Sequence, residues 1–202
     1  VNILNTNGPT ATYIKTDEKE VFLTFDDGPH PEITPWVLNL LDQYQAKATF
    51  FCVGENVFKF PNVYKKIQDD GHAIGNHTYN HLNGWRTETD VYLENVEKAQ
   101  QFIKGKLFRP PYGKFTKQQQ RIISSPRFAL NSIMWTVLSA DFDSNISGQQ
   151  CLKNMVTQAE DGSIIVMHDS ERAWKNLEYA LPRALDFFSE KGFSFEAITG
   201  IG

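Results

Sequence analysis

Val21 Phe22 Leu23 Thr24 Phe25 Asp26 Asp27 Gly28 Pro29 is the stretch from which the rest of the chain can be read. An apolar run of β-branched and aromatic residues, stopped by Gly and Pro, predicts a buried strand ending in a turn, with two adjacent carboxylates where strand becomes loop. At the mouth of a core two neighbouring carboxylates repel each other and lose hydration, so a compensating cation is expected, most simply a bound metal. Shaping an Asp-Gly-Pro turn is the other use open to Asp26 and Asp27.

Outward from this strand, apolar periodicity predicts helices over 33–44, 57–69, 87–104, 116–125, 147–160 and 173–191. The helix at 87 is expected to start on a Thr87-x-x-Asp90 cap. Strands are predicted over 48–53, 72–75, 107–112, 128–137, 163–167 and 193–198. Residues 1–19 lack periodicity and read as a surface lead-in, with at most a short strand at 11–14, and 20–202 as a single domain. Short apolar strands alternating with longer helices are the pattern of parallel βα units; the length favours an α/β fold, an irregular βα barrel of about seven parallel strands. Chemistry in such folds sits at the carboxyl ends of strands. Asp26, Asp27, His77, His81, Arg109, Asp141 and His168 each end or follow a predicted strand.

Composition narrows the class. With 202 residues, 41% hydrophobic and 22% charged, the chain is an ordinary globular domain. A net charge of −4 with mixed signs gives no electrostatic case for nucleic acid as a partner. No apolar run is long enough for a membrane span. Cys52 and Cys151 lie in apolar stretches and read as buried free thiols. A start at Val1 fits a processed product whose leader has been removed.

His77 and His81 stand four apart, so a helical turn between them would aim both imidazoles at one metal. Ordinary structural histidines are the alternative. One carboxylate with two imidazoles forms an O,N,N set that suits zinc or another late divalent ion and leaves coordination open.

Thr24 Phe25 Asp26 Asp27 Gly28, His77 Thr78 Tyr79 Asn80 His81, Arg109 Pro110 Pro111 Tyr112 Gly113 and Val166 Met167 His168 resemble, in order and spacing, the motifs of the NodB-homology polysaccharide deacetylases, carbohydrate esterase family 4. The resemblance runs from about Val21 to His168. It implies a distorted βα barrel with a divalent metal, usually zinc with cobalt or nickel possible, that hydrolyses N-acetyl groups of N-acetylglucosamine-containing oligo- or polysaccharides. By the same likeness Asp27, His77 and His81 would hold the metal and Asp26 would be the general base. Arg109 would pair with Asp26 and aim it, His168 would be the general acid, and a backbone N–H near Tyr112 would help hold the oxyanion. Asp141 and Phe142 would lie on the substrate side. A substrate of that kind implies a secreted or cell-envelope location.

One departure from the family pattern is visible. Where the family has roughly Asp-x-x-Asp-Trp, with its first Asp expected to tune the acid histidine, this chain reads Leu138 Ser139 Ala140 Asp141 Phe142. His168 would then need another partner, for which Asp141, Asp143 and Asp169 are candidates. This keeps two further readings open: the same metal site acting on another amide or an O-acetyl ester, and a catalytically impaired carbohydrate-binding relative. The retained Asp26, unnecessary for binding alone, argues against the latter. His72 reads as structural, and His30 as an exposed turn residue. Trp85, Trp135 and Trp174 are candidates for a sugar groove or for core. Asn76 His77 Thr78 forms a glycosylation sequon, and a glycan there would cover the metal loop, so a source that leaves it unmodified, such as a bacterium, is expected.

Overall fold

The computed structural model describes residues 10–199. In chain order the elements are β1 (Thr10–Ala11), β2 (Glu20–Asp26), α1 (Ile33–Gln43), β3 (Ala48–Cys52), α2 (Gly54–Lys59), α3 (Pro61–Asp69), β4 (Ala73–Asn76) and α4 (Thr89–Gln100). There follow β5 (Leu107–Phe108), α5 (Lys117–Ile123), β6 (Asn131–Ile133), β7 (Val137–Leu138), α6 (Gly148–Gln158), β8 (Ser163–His168), α7 (Trp174–Glu190) and β9 (Ser194–Phe195).

All these strands pair in parallel, in the order β1-β6-β5-β4-β3-β2-β8-β7, with β9 added to the start of β2. The path curls into an irregular barrel because β6 and β7, near its opposite ends, are one stretch of chain interrupted only by Met134, Trp135 and Thr136. At this seam Thr136 N–H donates to Ile164 O at 3.0 Å.

The period of two in β2 places the site. Val21, Leu23 and Phe25 face outward into the core shared with α1, α6 and α7, where Leu38, Leu41, Met155, Leu181 and Phe188 are buried. Phe22 faces inward, where Phe51, Leu107, Ile133 and Ile164 fill the barrel. Thr24 and Asp26 continue that inner face, so Asp26 ends the strand with its side chain in the barrel mouth.

Local departures from the expected elements have local causes. The helix expected over 57–69 is two helices, broken at Phe60 with Pro61 opening α3, because proline is at home in a first turn and disruptive within one. Thr87 does not cap α4; its hydroxyl donates to Asn83 O instead. The strand expected over 128–137 survives only as β6 and β7. Within the expected lead-in, Thr10–Ala11 pairs with β6, and Ala11 and Ile14 are buried in the barrel interior, so the domain includes these residues. Residues 1–9 of that lead-in lie outside the described residues. Cys52 and Cys151 are buried and unbridged. Among the described residues no helix is long and apolar enough to cross a membrane.

Candidate active site

The barrel mouth is organised by a fully buried arginine. Arg109, just after β5, donates through Nη1 to Asp26 Oδ1 at 2.8 Å and Thr24 Oγ1 at 2.7 Å. Its Nε reaches Ile133 O at 3.0 Å and its Nη2 reaches Met134 O at 2.9 Å, which binds β2 to the seam. The Phe51 ring lies 4.1 Å beneath the guanidinium carbon. Burial lowers the arginine's affinity for its proton, and the Asp26 charge opposes that shift.

Asp27 turns away from this pair. Its φ of 82° is in the left-handed region, where a side chain is strained, and the strain is held by bonds on both sides. Asp169 N–H donates to Asp26 O at 3.2 Å, Asn56 Nδ2 to Asp27 O at 2.8 Å, Gly28 N–H to Asp169 Oδ1 at 3.1 Å and Val53 N–H to Gly28 O at 2.9 Å. The Thr34 hydroxyl donates to the other Asp169 oxygen. A Cβ on Gly28 would lie 2.1 Å from Asp169 Oδ2, so only glycine fits there. Burial pushes the Asp169 carboxyl up to about 7, against the bonds from Thr34 and Gly28 that favour its charged form. Asp169→Ala strands the Gly28 N–H and the Thr34 hydroxyl, an expected loss of about 2–3 kcal/mol. The urea midpoint checks this, and a wild-type midpoint would show that the clamp is dispensable.

His77 and His81 follow β4, but the loop between them is not a helical turn. Thr78 and His81 take φ of 65° and 61°. Asn76 Oδ1 accepts from Thr78 N–H, while Gly54 and Glu55 at the start of α2 donate to Thr78 O and Tyr79 O. His77 Nδ1 lies 2.7 Å from Arg109 O. A carbonyl only accepts, so Nδ1 carries the proton and the Nε2 lone pair faces Asp27. The Nε2 atoms of His81 and His77 stand 3.2 and 3.7 Å from Asp27 Oδ1, which is buried and lacks a well-aligned donor. Burial lowers His77 to about 4, keeping it neutral as a ligand must be. Burial opposes the charge on Asp27, but His81, His168 and His77 together hold its carboxyl well below the usual range. One donor atom from each of Asp27, His77 and His81 lies within 4.8 Å of the other two. An orphaned carboxylate oxygen facing two imidazole nitrogens fits a divalent cation. The sequon is inert for a physical reason: Asn76 is wholly buried, its Nδ2 donating to Val96 O.

His168 ends β8 in direct register with Asp26. Its Nδ1 and its backbone N each lie 2.7 Å from one oxygen of Asp141. Burial works against a charged His168, but Asp141 outweighs it and raises the imidazole to about 9. Of the two places the sequence leaves open for Asp141, the substrate side and partner of His168, the structure shows the second: Asp141 is fully buried behind His168, where the chain turns at Ala140 with φ 59°. Leu138 leaves no gap in the support of His168, since Asp141 supplies it. Phe142 stands edge-on to the His168 ring at 5.2 Å.

These groups surround a cavity of about 430 Å³ lined by Asp26, Asp27, His77, His81, Tyr112 and His168, with Trp135, Leu138, Phe142 and Arg172 among the walls. Arg109 lies beneath it. Tyr112, at φ 61°, leans its ring on His81 at 4.6 Å. Trp135 reaches the cavity because it sits at the seam rather than within a strand. Of the three tryptophans that the sequence leaves between groove and core, Trp135 is the one in the cavity wall. Sequence reasoning missed the cavity role of Arg172 and the clamp of Asp169; direct succession to His168 was the available signal for Asp169. The other candidates lie elsewhere. His72 accepts Ala48 N–H at Nδ1 and is structural, and His30 accepts the N–H groups of Glu32 and Ile33 at the start of α1. Trp174 packs edge-on against Trp36, and Trp85 is exposed with its Nε1–H on Phe115 O.

Residues 13–127 match the family model described as polysaccharide deacetylase. Over 160 residues the chain is 37% identical to a peptidoglycan-N-acetylglucosamine deacetylase of Bacillus cereus, covering 76% of this chain and 57% of that relative. It thus spans little more than half of that relative's length. It is 32% identical over 166 residues to a chitooligosaccharide deacetylase of Azorhizobium caulinodans, covering 79% of this chain and 78% of that relative. The crystal structure of the Bc1960 peptidoglycan N-acetylglucosamine deacetylase, in complex with 4-naphthalen-1-yl-N-oxidanyl-benzamide, superposes with a TM-score of 0.86 at 32% identity. That match covers 94% of this chain and 91% of the other.

Proposed function

The chain belongs to the polysaccharide deacetylase family, whose members are hydrolases, and from that premise we propose that it removes N-acetyl groups from N-acetylglucosamine-containing saccharide chains with the help of a divalent metal. The observation that supports this most is the division of labour between two adjacent carboxylates: Asp27 faces His77 and His81, while Asp26 faces Arg109 and the cavity.

Asp27, His77 and His81 would hold the ion, zinc first and cobalt or nickel as substitutes. Bound there, it supplies Lewis-acid charge at the cavity floor. Asp26, aimed by Arg109, takes a proton from water as the water oxygen attacks the acetyl carbonyl. His168, imidazolium through its bond to Asp141, gives a proton to the sugar nitrogen as the C–N bond breaks, and acetate and a free amine leave. Trp135, Leu138 and Phe142 wall the acetyl site and limit the water that reaches it. Relatives named for peptidoglycan act on a polymer outside the cytoplasm, and we place this protein there too.

The test is acetate release from N-acetylglucosamine oligomers by chelator-stripped protein, before and after zinc, cobalt or nickel is restored. Release only with metal is expected. One metal bound per chain with no acetate from any N-acetylglucosamine glycan would overturn the proposal.

A further inference from the structure

We infer that Arg172 makes the cavity selective for N-acetylated glycans that carry a carboxylate beside the reacting sugar. This inference rests on the deacetylase reading and adds a substrate feature to it.

Arg172 lies in the turn between β8 and α7, four residues past the proposed acid, and lines the cavity. Its Nε donates to Phe142 O at 3.0 Å, and its guanidinium carbon is 5.7 Å from the centre of the Phe142 ring. Phe142 in turn stands edge-on to His168. The side chain is therefore fixed relative to the chemistry although it is exposed at the rim. Among the described residues its two Nη groups have no protein acceptor and no carboxylate partner. That is not for want of carboxylates nearby, because each is committed elsewhere. Asp141 holds His168, Asp143 accepts from Asn145, Asp169 clamps Gly28 and Thr34, and Glu171 lies 3.5 Å from His30. Apart from Arg172, Asp26, Asp27 and the three histidines, the lining residues carry no charge.

Among the described residues that line the cavity, Arg172 is the one arginine or lysine. Its planar fork matches a carboxylate bidentately, which a lysine at this place would not. Saccharide groups that offer a carboxylate one sugar away include the lactyl ether of a muramic residue whose carboxyl is not amidated and the acid of a uronate. A neutral chain of N-acetylglucosamine offers neither.

The experiment compares metal-loaded wild type with Arg172→Gln and Arg172→Lys on three substrates. They are a glycan strand bearing lactyl carboxylates, the same strand with those groups as methyl esters, and an N-acetylated oligosaccharide containing uronate. The readout is the ratio of kcat/KM between acid and ester strands. Wild type is expected to prefer the acid strand, and Arg172→Gln to reduce that ratio about fivefold through KM. Arg172→Lys should recover part of the ratio, and high ionic strength should shrink it in wild type. The uronate arm tells which source of carboxylate the site accepts. An acid-to-ester ratio that is the same in Arg172→Gln as in wild type would overturn the inference. Calorimetric binding of the same strands reads the ratio without turnover. A wild type that releases no acetate yet binds the acid strand through Arg172 would therefore refute the deacetylase reading alone.

Discussion

Asp26→Asn is expected to lower turnover by about 10²–10⁴-fold, the usual contribution of a general base, while divalent-metal affinity stays near that of wild type. The amide has the shape of the carboxylate and can still accept from Arg109 Nη1, so the barrel mouth keeps its geometry. What it lacks is a basic oxygen. The change also removes the counter-charge of a fully buried guanidinium, and breaking such a pair can cost about 3–5 kcal/mol. Here the loss should fall below that range, because Thr24 Oγ1, Ile133 O and Met134 O still accept from Arg109. Metal titration and circular dichroism on the variant separate chemistry from folding. Near-wild-type turnover would remove Asp26 from the role of base, and lost metal binding would make it a ligand instead.

Asp141→Asn should lower kcat by about 10²-fold or more and change its pH dependence. In wild type Asp141 overcomes the burial of His168 and raises it to about 9, so the imidazolium persists through neutral pH. Without that charge, burial is left to act, and the alkaline limb of the pH–rate profile should move to lower pH. A bound divalent cation repels the imidazolium in both proteins and leaves the sign of the difference intact. Stability follows the same linkage. A histidine whose folded value lies above its unfolded value of about 6.5 stabilises fully below 6.5, and that contribution is lost as pH rises through about 9. Wild type should therefore lose stability between these limits more steeply than Asp141→Asn, as urea midpoints across that range would show. Coincident alkaline limbs in the two proteins would mean that Asp141 does not govern the acid.

Much of the site could be read from the residues because it lies on regular elements. The mostly apolar run from Val21 to Phe25 is stopped by Gly28 and Pro29, so the end of β2 could be located, and with it Asp26. His77, Arg109 and His168 each close or follow a strand for the same reason. What could not be read depends on backbone turns that the residue types do not advertise. The sequence names Asp141, Asp143 and Asp169 alike as partners for His168, and the choice among them falls to Ala140, whose left-handed φ alanine usually avoids and whose turn puts Asp141 behind His168. The pair His77 and His81 converges through left-handed Thr78 and His81, not through the helical turn that their spacing suggests. Arg172 lies on a turn held by the distant Phe142 carbonyl, and the choice between groove and core for Trp135 is made by the seam between β6 and β7.

The neighbourhood of β2 and β8 also bears on how the chain comes together in time. Gly28 and the carboxylate that clamps it are 141 residues apart, and Asp26 meets His168 only by lateral pairing of those two strands. Until β8 inserts, one side of β2 is an open apolar edge, the kind that recruits other chains. Closing so long a loop is slow relative to forming the local βα units. A growing or truncated chain can therefore hold Asp27, His77 and His81 without the proposed acid or the Asp169 clamp. If Asp26 and His168 act together as proposed, turnover is expected only after β8 has paired with β2.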